Sequence, residues 1–154
     1  QELNSLEQYG RRSNLGIHGI PQTQNEDLLA GLEEVAIALE VPTPDPSTVE
    51  AIHRLPSKPG KTPPIIVRFT NRSICEQWLI NKMVLRSKKI RGQNVYVDGN
   101  MTMANRNLFY RAHMLAKQLH YKFVWHTHGT VYMRKDETEK IIRLRTVSDL
   151  DKIV

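Results

Sequence analysis

The chain has 154 residues, with 22 Lys and Arg against 16 Asp and Glu, one cysteine, and a hydrophobic fraction of 40%. That length holds one ordinary domain or two small ones, and the lone Cys75 excludes a disulfide framework or a Cys-based zinc finger and fits a reducing compartment. No run approaches the ~18 apolar residues of a membrane span and no charged-then-apolar leader opens the chain, so the expectation is a soluble intracellular protein with no membrane partner.

Residues 1–12 come first. Leu3 and Leu6 make one a-to-d step of a heptad, which fits either the end of an oligomerising coiled coil or a helix that caps the next domain. Position 1 is Gln, not Met, which predicts a piece of a longer protein.

Residues 13–99 read as one domain. NLGIHGI alternates, with Leu15 and Ile17 on one side and Gly16 and His18 on the other, and Pro21 ends it as a strand. Asn25 is the expected N-cap of a helix whose apolar face is Leu28, Leu32, Val35, Ala36 and Leu39, closed by prolines 42, 44 and 46. STVEAIHRL is a second strand, PSKPGKTPP an irregular loop, and IIVRF a third strand with Ile65, Val67 and Phe69 toward the core. Residues 71–85 are expected as a helix burying Ile74, Trp78 and Leu79, and RGQNVYVD as a fourth strand. The order β-α-β-β-α-β predicts an α+β, RRM-like two-layer sandwich of the split β-α-β plan, with helices on one sheet face and the other face open.

Residues 100–154 form a second, smaller α/β unit. Thr102 caps a helix to about Leu119, with Leu108, Ala112, Leu115, Ala116 and Leu119 on its apolar face and Arg106, Tyr110, Arg111, His113 and Lys117 elsewhere. KFVWHTHGTVYMRK is a hairpin turning near His128-Gly129, IIRLR a third strand, and SDLDKIV a short helix capped by Ser148.

Charge supplies the functional signal. Residues 1–50 carry two basic and nine acidic residues, a net of −7, whereas residues 51–122 carry fourteen basic residues against Glu76 and Asp98, a net of +12. Such a block attracts polyanions, although a solvated basic surface is the bland alternative. RNA-recognition sheets stack bases on aromatics of the two central strands, and here the expected open-face positions are Pro64, Ile66, Arg68, Gly16 and His18. With stacking aromatics missing, phosphate contacts should dominate and base preference should be weak.

Arg11, Arg12 and Asn14 precede the first strand. The two guanidiniums can fork onto phosphate oxygens or serve a domain-junction salt bridge, and Asn14 can bond a base edge or cap the chain. Arg106, Arg111 and Lys117 form a second basic site, and with Lys88, Lys89 and Arg91 they would line a cleft if the two units faced each other across the 98–102 linker. His126 and His128 are half a metal site with no completing ligands nearby, so no metal or cofactor is expected. No phosphate loop, nucleophile elbow, HExxH helix or carboxylate cluster is present in the sequence, and an enzyme is not expected.

The segments YGRRSNLGIHGIP, PPIIVRFT, NRNLFYRA and YKFVWHTHGTVYMRK together resemble the nucleic-acid-binding part of the first-open-reading-frame proteins of LINE-type non-LTR retrotransposons, and the related baculovirus FP protein domain. The resemblance spans residues 6–154. It implies an RNA-recognition-motif domain and a C-terminal domain behind a trimerising coiled coil, binding single-stranded RNA or DNA and acting as a chaperone for annealing and strand exchange in ribonucleoprotein particles, cytoplasmic or nuclear. It carries nucleic-acid contact onto Arg11, Arg12, Asn14 and Arg106, while Arg68 follows from the open sheet face. It also implies a homo-oligomer through a coiled coil outside these 154 residues. The zinc knuckles or PHD-like fingers of some relatives have no counterpart in this chain. The alternative function is a protein-assembly or packaging module of a viral or domesticated element.

Overall fold

The protein is described by a computed structural model, which covers residues 2–127 and 129–153. It divides into two compact units, Arg12–Asn100 and one formed by the chain before and after it.

Within the Arg12–Asn100 unit lie β1 (Asn14–His18), α2 (Leu28–Leu39), β2 (Val49–Arg54), β3 (Ile65–Phe69), α3 (Arg72–Ile80), the short strands β4 (Lys89–Ile90) and β5 (Gln93–Asn94), and β6 (Tyr96–Gly99). The four-stranded sheet has the order β2-β3-β1-β6, all neighbours antiparallel, so β1 and β3 are central. Leu15, Ile17, Ile65, Val67, Phe69 and Val97 pack with Leu32, Val35, Leu39, Cys75 and Trp78 in one core. The α+β class and this element order agree with the sequence expectation.

Local details differ from it for identifiable reasons. Asp27, not Asn25, caps α2, accepting from the Ala30 backbone N–H at 3.2 Å, while Asn25 turns the chain at φ 51°. The helix expected over 71–85 stops at Ile80, and Lys82–Ser87 continues as a 3-10 helix. RGQNVYVD is not one strand, because Arg91 and Gly92 are both left-handed, at φ 52° and 76°. They form the two-residue loop of the β4–β5 hairpin, so the fourth strand of the main sheet starts only at Tyr96. Ile66, expected on the open face, is 9% exposed, lying mid-sheet between its cross-strand partners Gly16 and His53. Burial pushes the Cys75 thiol up to about 12, with Glu76 adding to the shift, so a reactive thiolate has no support there.

The second unit contains α1 (Glu2–Gly10), α4 (Met103–Leu119), β7 (Phe123–Thr127), β8 (Thr130–Arg134) and β9 (Ile142–Leu144) in a sheet of order β7-β8-β9. Thr102 caps α4 as its sequence predicts, its side chain accepting from the Asn105 backbone N–H at 3.1 Å. Leu108, Ala112 and Ala116 of α4 pack on Val131, Met133 and Leu144. The last turn, Val147–Lys152, is a 3-10 helix entered at Thr146 instead of Ser148, because Asp149 Oδ2 accepts from the backbone N–H groups of Arg145 and Thr146.

α1 is tied to the start of α4. Gln8 Oε1 accepts from the Thr102 backbone N–H at 2.9 Å and from Asn105 Nδ2 at 3.0 Å, and Thr102 Oγ1 donates to Asn4 Oδ1 at 2.7 Å. These bonds occupy the polar side of α1, leaving Leu3 and Leu6 83% and 69% exposed. Among the described residues, no helix is long and apolar enough to cross a membrane.

Candidate nucleic-acid interface

The +12 block does not reach the surface as a +12 surface. Folding brings four of its cations onto carboxylates of the acidic segment: Arg54 to Glu26 at 2.8 Å, Arg91 to Glu34 at 2.5 Å, Lys88 to Glu40 at 3.5 Å and Arg68 to Glu50 at 3.8 Å. Lys88 also donates to the Ala38 carbonyl at 2.6 Å. Counting by unit, residues 12–100 hold eleven basic and nine acidic residues, a net of +2, and the remainder hold eleven and seven, a net of +4. The larger surplus belongs to the unit that contains α4.

The expected site residues therefore fall into different settings. Arg11 is braced within its own unit, donating to Glu7 Oε1 at 3.0 Å and to the Met101 carbonyl at 3.3 Å. Arg12 is half-buried. Asn14 donates through Nδ2 to Asn100 Oδ1 at 3.2 Å, and its backbone carbonyl accepts from the Asn100 N–H, so it fastens the end of β1 beside β6. Lys88 and Arg91 are held on α2, Lys89 is exposed, and Arg68 stands half-exposed on its sheet face beside Glu50.

Arg106, Arg111 and Lys117 are different. All three are exposed on α4, and among the described residues none has a carboxylate partner. Arg106 and Lys117 are eleven residues apart, three helical turns, and so share a face with Tyr110 and His113. A helix that buries Asn105, Leu108, Ala112 and Ala116 leaves Arg106 and Lys117 to solvent on one flank and Arg111 on another, cations that a polyanion can meet at little desolvation cost.

The face of the main sheet opposite its core also departs from expectation. His18, at the end of β1, is cross-strand to Tyr96 of the edge strand β6, and their rings stack at 4.5 Å with 7° between planes. His18 Nε2 and Asp98 Oδ1 share a hydrogen bond of 3.1 Å over Gly16, where a Cβ would sit 2.6 Å from the same carboxylate oxygen. Aromatics are thus not missing from this face. The pattern of β1 and β3 does not reveal Tyr96, because its ring sits on the outer strand and pairs with a histidine. Its phenol is pushed up by burial and by Asp98, so it stays neutral and able to donate.

His126 points to the helix side of its sheet, edge-on to Phe109 at 4.9 Å. His128 lies outside the described residues, so the geometry of the histidine pair rests on His126 alone. Among the described residues, no group of three or more His, Cys, Asp or Glu is placed to hold a metal ion.

This geometry defines an α+β protein of two units, the second being a helix on a three-stranded sheet with unpaired cations along the helix. Residues 102–154, which hold that helix and sheet, match the family described as Baculovirus FP protein domain 2. No curated protein matches the chain.

Proposed function

We propose that the chain binds single-stranded RNA or DNA with weak sequence preference and acts as a nucleic-acid chaperone in a retrotransposon ribonucleoprotein. The observation that carries the reading is the set of exposed cations on α4, Arg106 and Lys117 on one face and Arg111 on another, standing among the described residues without carboxylate partners in the unit with the larger positive surplus. Phosphate neutralisation by such cations lowers the repulsion between two strands, and loose hold on the bases lets them exchange partners. The sheet order β2-β3-β1-β6 and the sequence resemblance support an RNA-recognition-motif reading of residues 13–99 and a LINE-type relationship. The match of residues 102–154 supports the related FP domain.

Oligomerisation through a coiled coil belongs to the same reading, with Leu3 and Leu6 as one exposed a-to-d step of it. The exposed row Leu3, Leu6 and Tyr9 also favours the second reading, a protein-assembly or packaging module. Binding of single strands that weakens with salt separates the two.

The residue test is Arg106→Ala against Lys140→Ala. Loss of one charge-assisted phosphate contact should weaken binding by about 1 kcal/mol and reduce the log–log salt slope by somewhat under one. Lys140, on the acidic turn DETEK, should change little. Equal behaviour of the two variants in a fluorescence-anisotropy titration would remove α4 from the interface.

A further inference from the structure

The three-stranded sheet has two faces, and only one is used by α4. Val124, Val131, Met133, Ile142 and Leu144 pack toward the helix. Side chains alternate along a strand, so Phe123, Trp125, Tyr132 and Arg143 stand on the opposite face. Trp125, Tyr132 and Arg143 are direct cross-strand partners, forming one row across β7, β8 and β9. The Trp125 and Tyr132 rings stack at 5.5 Å with 18° between planes, and both are partly exposed. β7 is an edge strand, so the ring face of Trp125 turned away from Tyr132 looks outward from the sheet.

The charge within this row is positive. Arg143 is exposed and, among the described residues, has no carboxylate partner. Arg134, cross-strand to Phe123, donates to the carbonyls of Glu139 and Glu137, at 2.9 and 2.7 Å, and is thereby held on the acidic turn. Lys122 lies 5.4 Å from the Phe123 ring centre, but its charge is already met by Glu137, with which it forms an ion pair. The neighbouring acids Asp136, Glu137 and Glu139 are confined to the turn between β8 and β9. Large parallel rings with the Arg143 cation beside them suit a ligand that alternates flat apolar rings with negative charge.

We infer that this face is a base-stacking platform for single-stranded nucleic acid: bases stack on Trp125 and Tyr132, and Arg143 takes an adjoining phosphate. The inference rests on the proposed nucleic-acid binding and adds to it a second kind of contact, one that grips bases. Stacking tolerates any base because every base has a π face, so weak sequence preference is retained.

The test uses the full chain, an end-labelled oligo(dT) of about 20 nucleotides, and an abasic strand of equal length and charge. The unaltered protein should bind oligo(dT) about tenfold or more tightly than the abasic strand. Trp125→Leu should lose about tenfold on oligo(dT), keep its affinity for the abasic strand, and keep its salt slope. Equal affinity of the unaltered protein for both strands would overturn the platform while leaving charge-driven binding intact. Failure to bind either strand would overturn the proposed function itself. Should Trp125→Leu not fold, Tyr132→Leu and the abasic comparison still decide. A Trp125→Leu variant that binds oligo(dT) normally but changes the sedimentation of the protein would overturn the platform and show a protein–protein face.

Discussion

Replacing Arg54 with Ala should destabilise the Arg12–Asn100 unit by about 3 kcal/mol, since breaking a buried pair leaves the other charge uncompensated. Arg54 and Glu26 are only 10% and 15% exposed. The guanidinium meets both Glu26 oxygens, through Nε at 3.0 Å and Nη2 at 2.8 Å, and donates to the carbonyls of Ile20, Pro21 and Pro63. One side chain thus joins the exit of β1, the approach to α2, β2 and the loop before β3. The pH dependence follows from Glu26, whose carboxyl is held below its ordinary 4.5 by the hydrogen bonds from Arg54. A depressed acid contributes stability that is fully present above its unfolded value and is lost as pH falls through its folded value. In Arg54→Ala the same carboxyl is buried without its cation and is relieved by protonation. The stability gap between the two proteins, measured by urea unfolding, should therefore be widest near neutral pH and narrow below about pH 4.5. A gap of constant size across that range would show that the pair does not provide the difference.

Gly19→Ala should cost a similar amount, about 3 kcal/mol, for a reason of shape. Gly19 has φ 103°, where residues with side chains are strained, and a Cβ there would lie 2.3 Å from the Asn94 carbonyl oxygen and 3.3 Å from Val95 Cα. Both obstacles are backbone, so relief requires moving the chain between β5 and β6, and strain and overpacking add. Gly60 is the matched control, with φ 85° and nothing within 4 Å of the would-be Cβ. Gly60→Ala should cost about 1 kcal/mol, the conformational part alone. Equal midpoints of urea unfolding for the two variants would contradict the close approach at Gly19.

How much of this was legible in the sequence depends on the range of the interaction. The alternation of NLGIHGI and IIVRF, the Thr102 cap and the apolar face of α4 are local signals, and each element formed where its pattern lies. Cap identity was less secure, because Asn25 and Asp27 are both good caps and only the backbone turn at Asn25 decides between them. The hairpin at Arg91-Gly92 was hidden because Arg is an uncommon residue in a left-handed turn, and here Glu34 on α2 binds its side chain from 57 positions away.

Charge shows the same limit more sharply. A block sum treats every cation as free, yet Arg54, Arg68, Lys88 and Arg91 find their carboxylates in the acidic segment once the chain folds. The basic residues of α4 and Arg143 of β9 are, among the described residues, without carboxylate partners, and a sum along the chain does not separate such residues from the paired ones. The Trp125–Tyr132 pair follows from a hairpin turning at residues 128–129, whereas its extension to Arg143 depends on how β9 pairs with β8, which no local pattern fixes.

The central claim, single-strand binding driven by phosphate neutralisation, is tested most directly by the affinity of the whole chain for a single-stranded oligonucleotide across a salt series. With about four to six phosphates neutralised, the log–log slope should be roughly −3 to −4, which is about a hundredfold loss of affinity between 50 and 200 mM salt. A slope near zero, or strong preference for one short sequence at every salt concentration, would contradict the account.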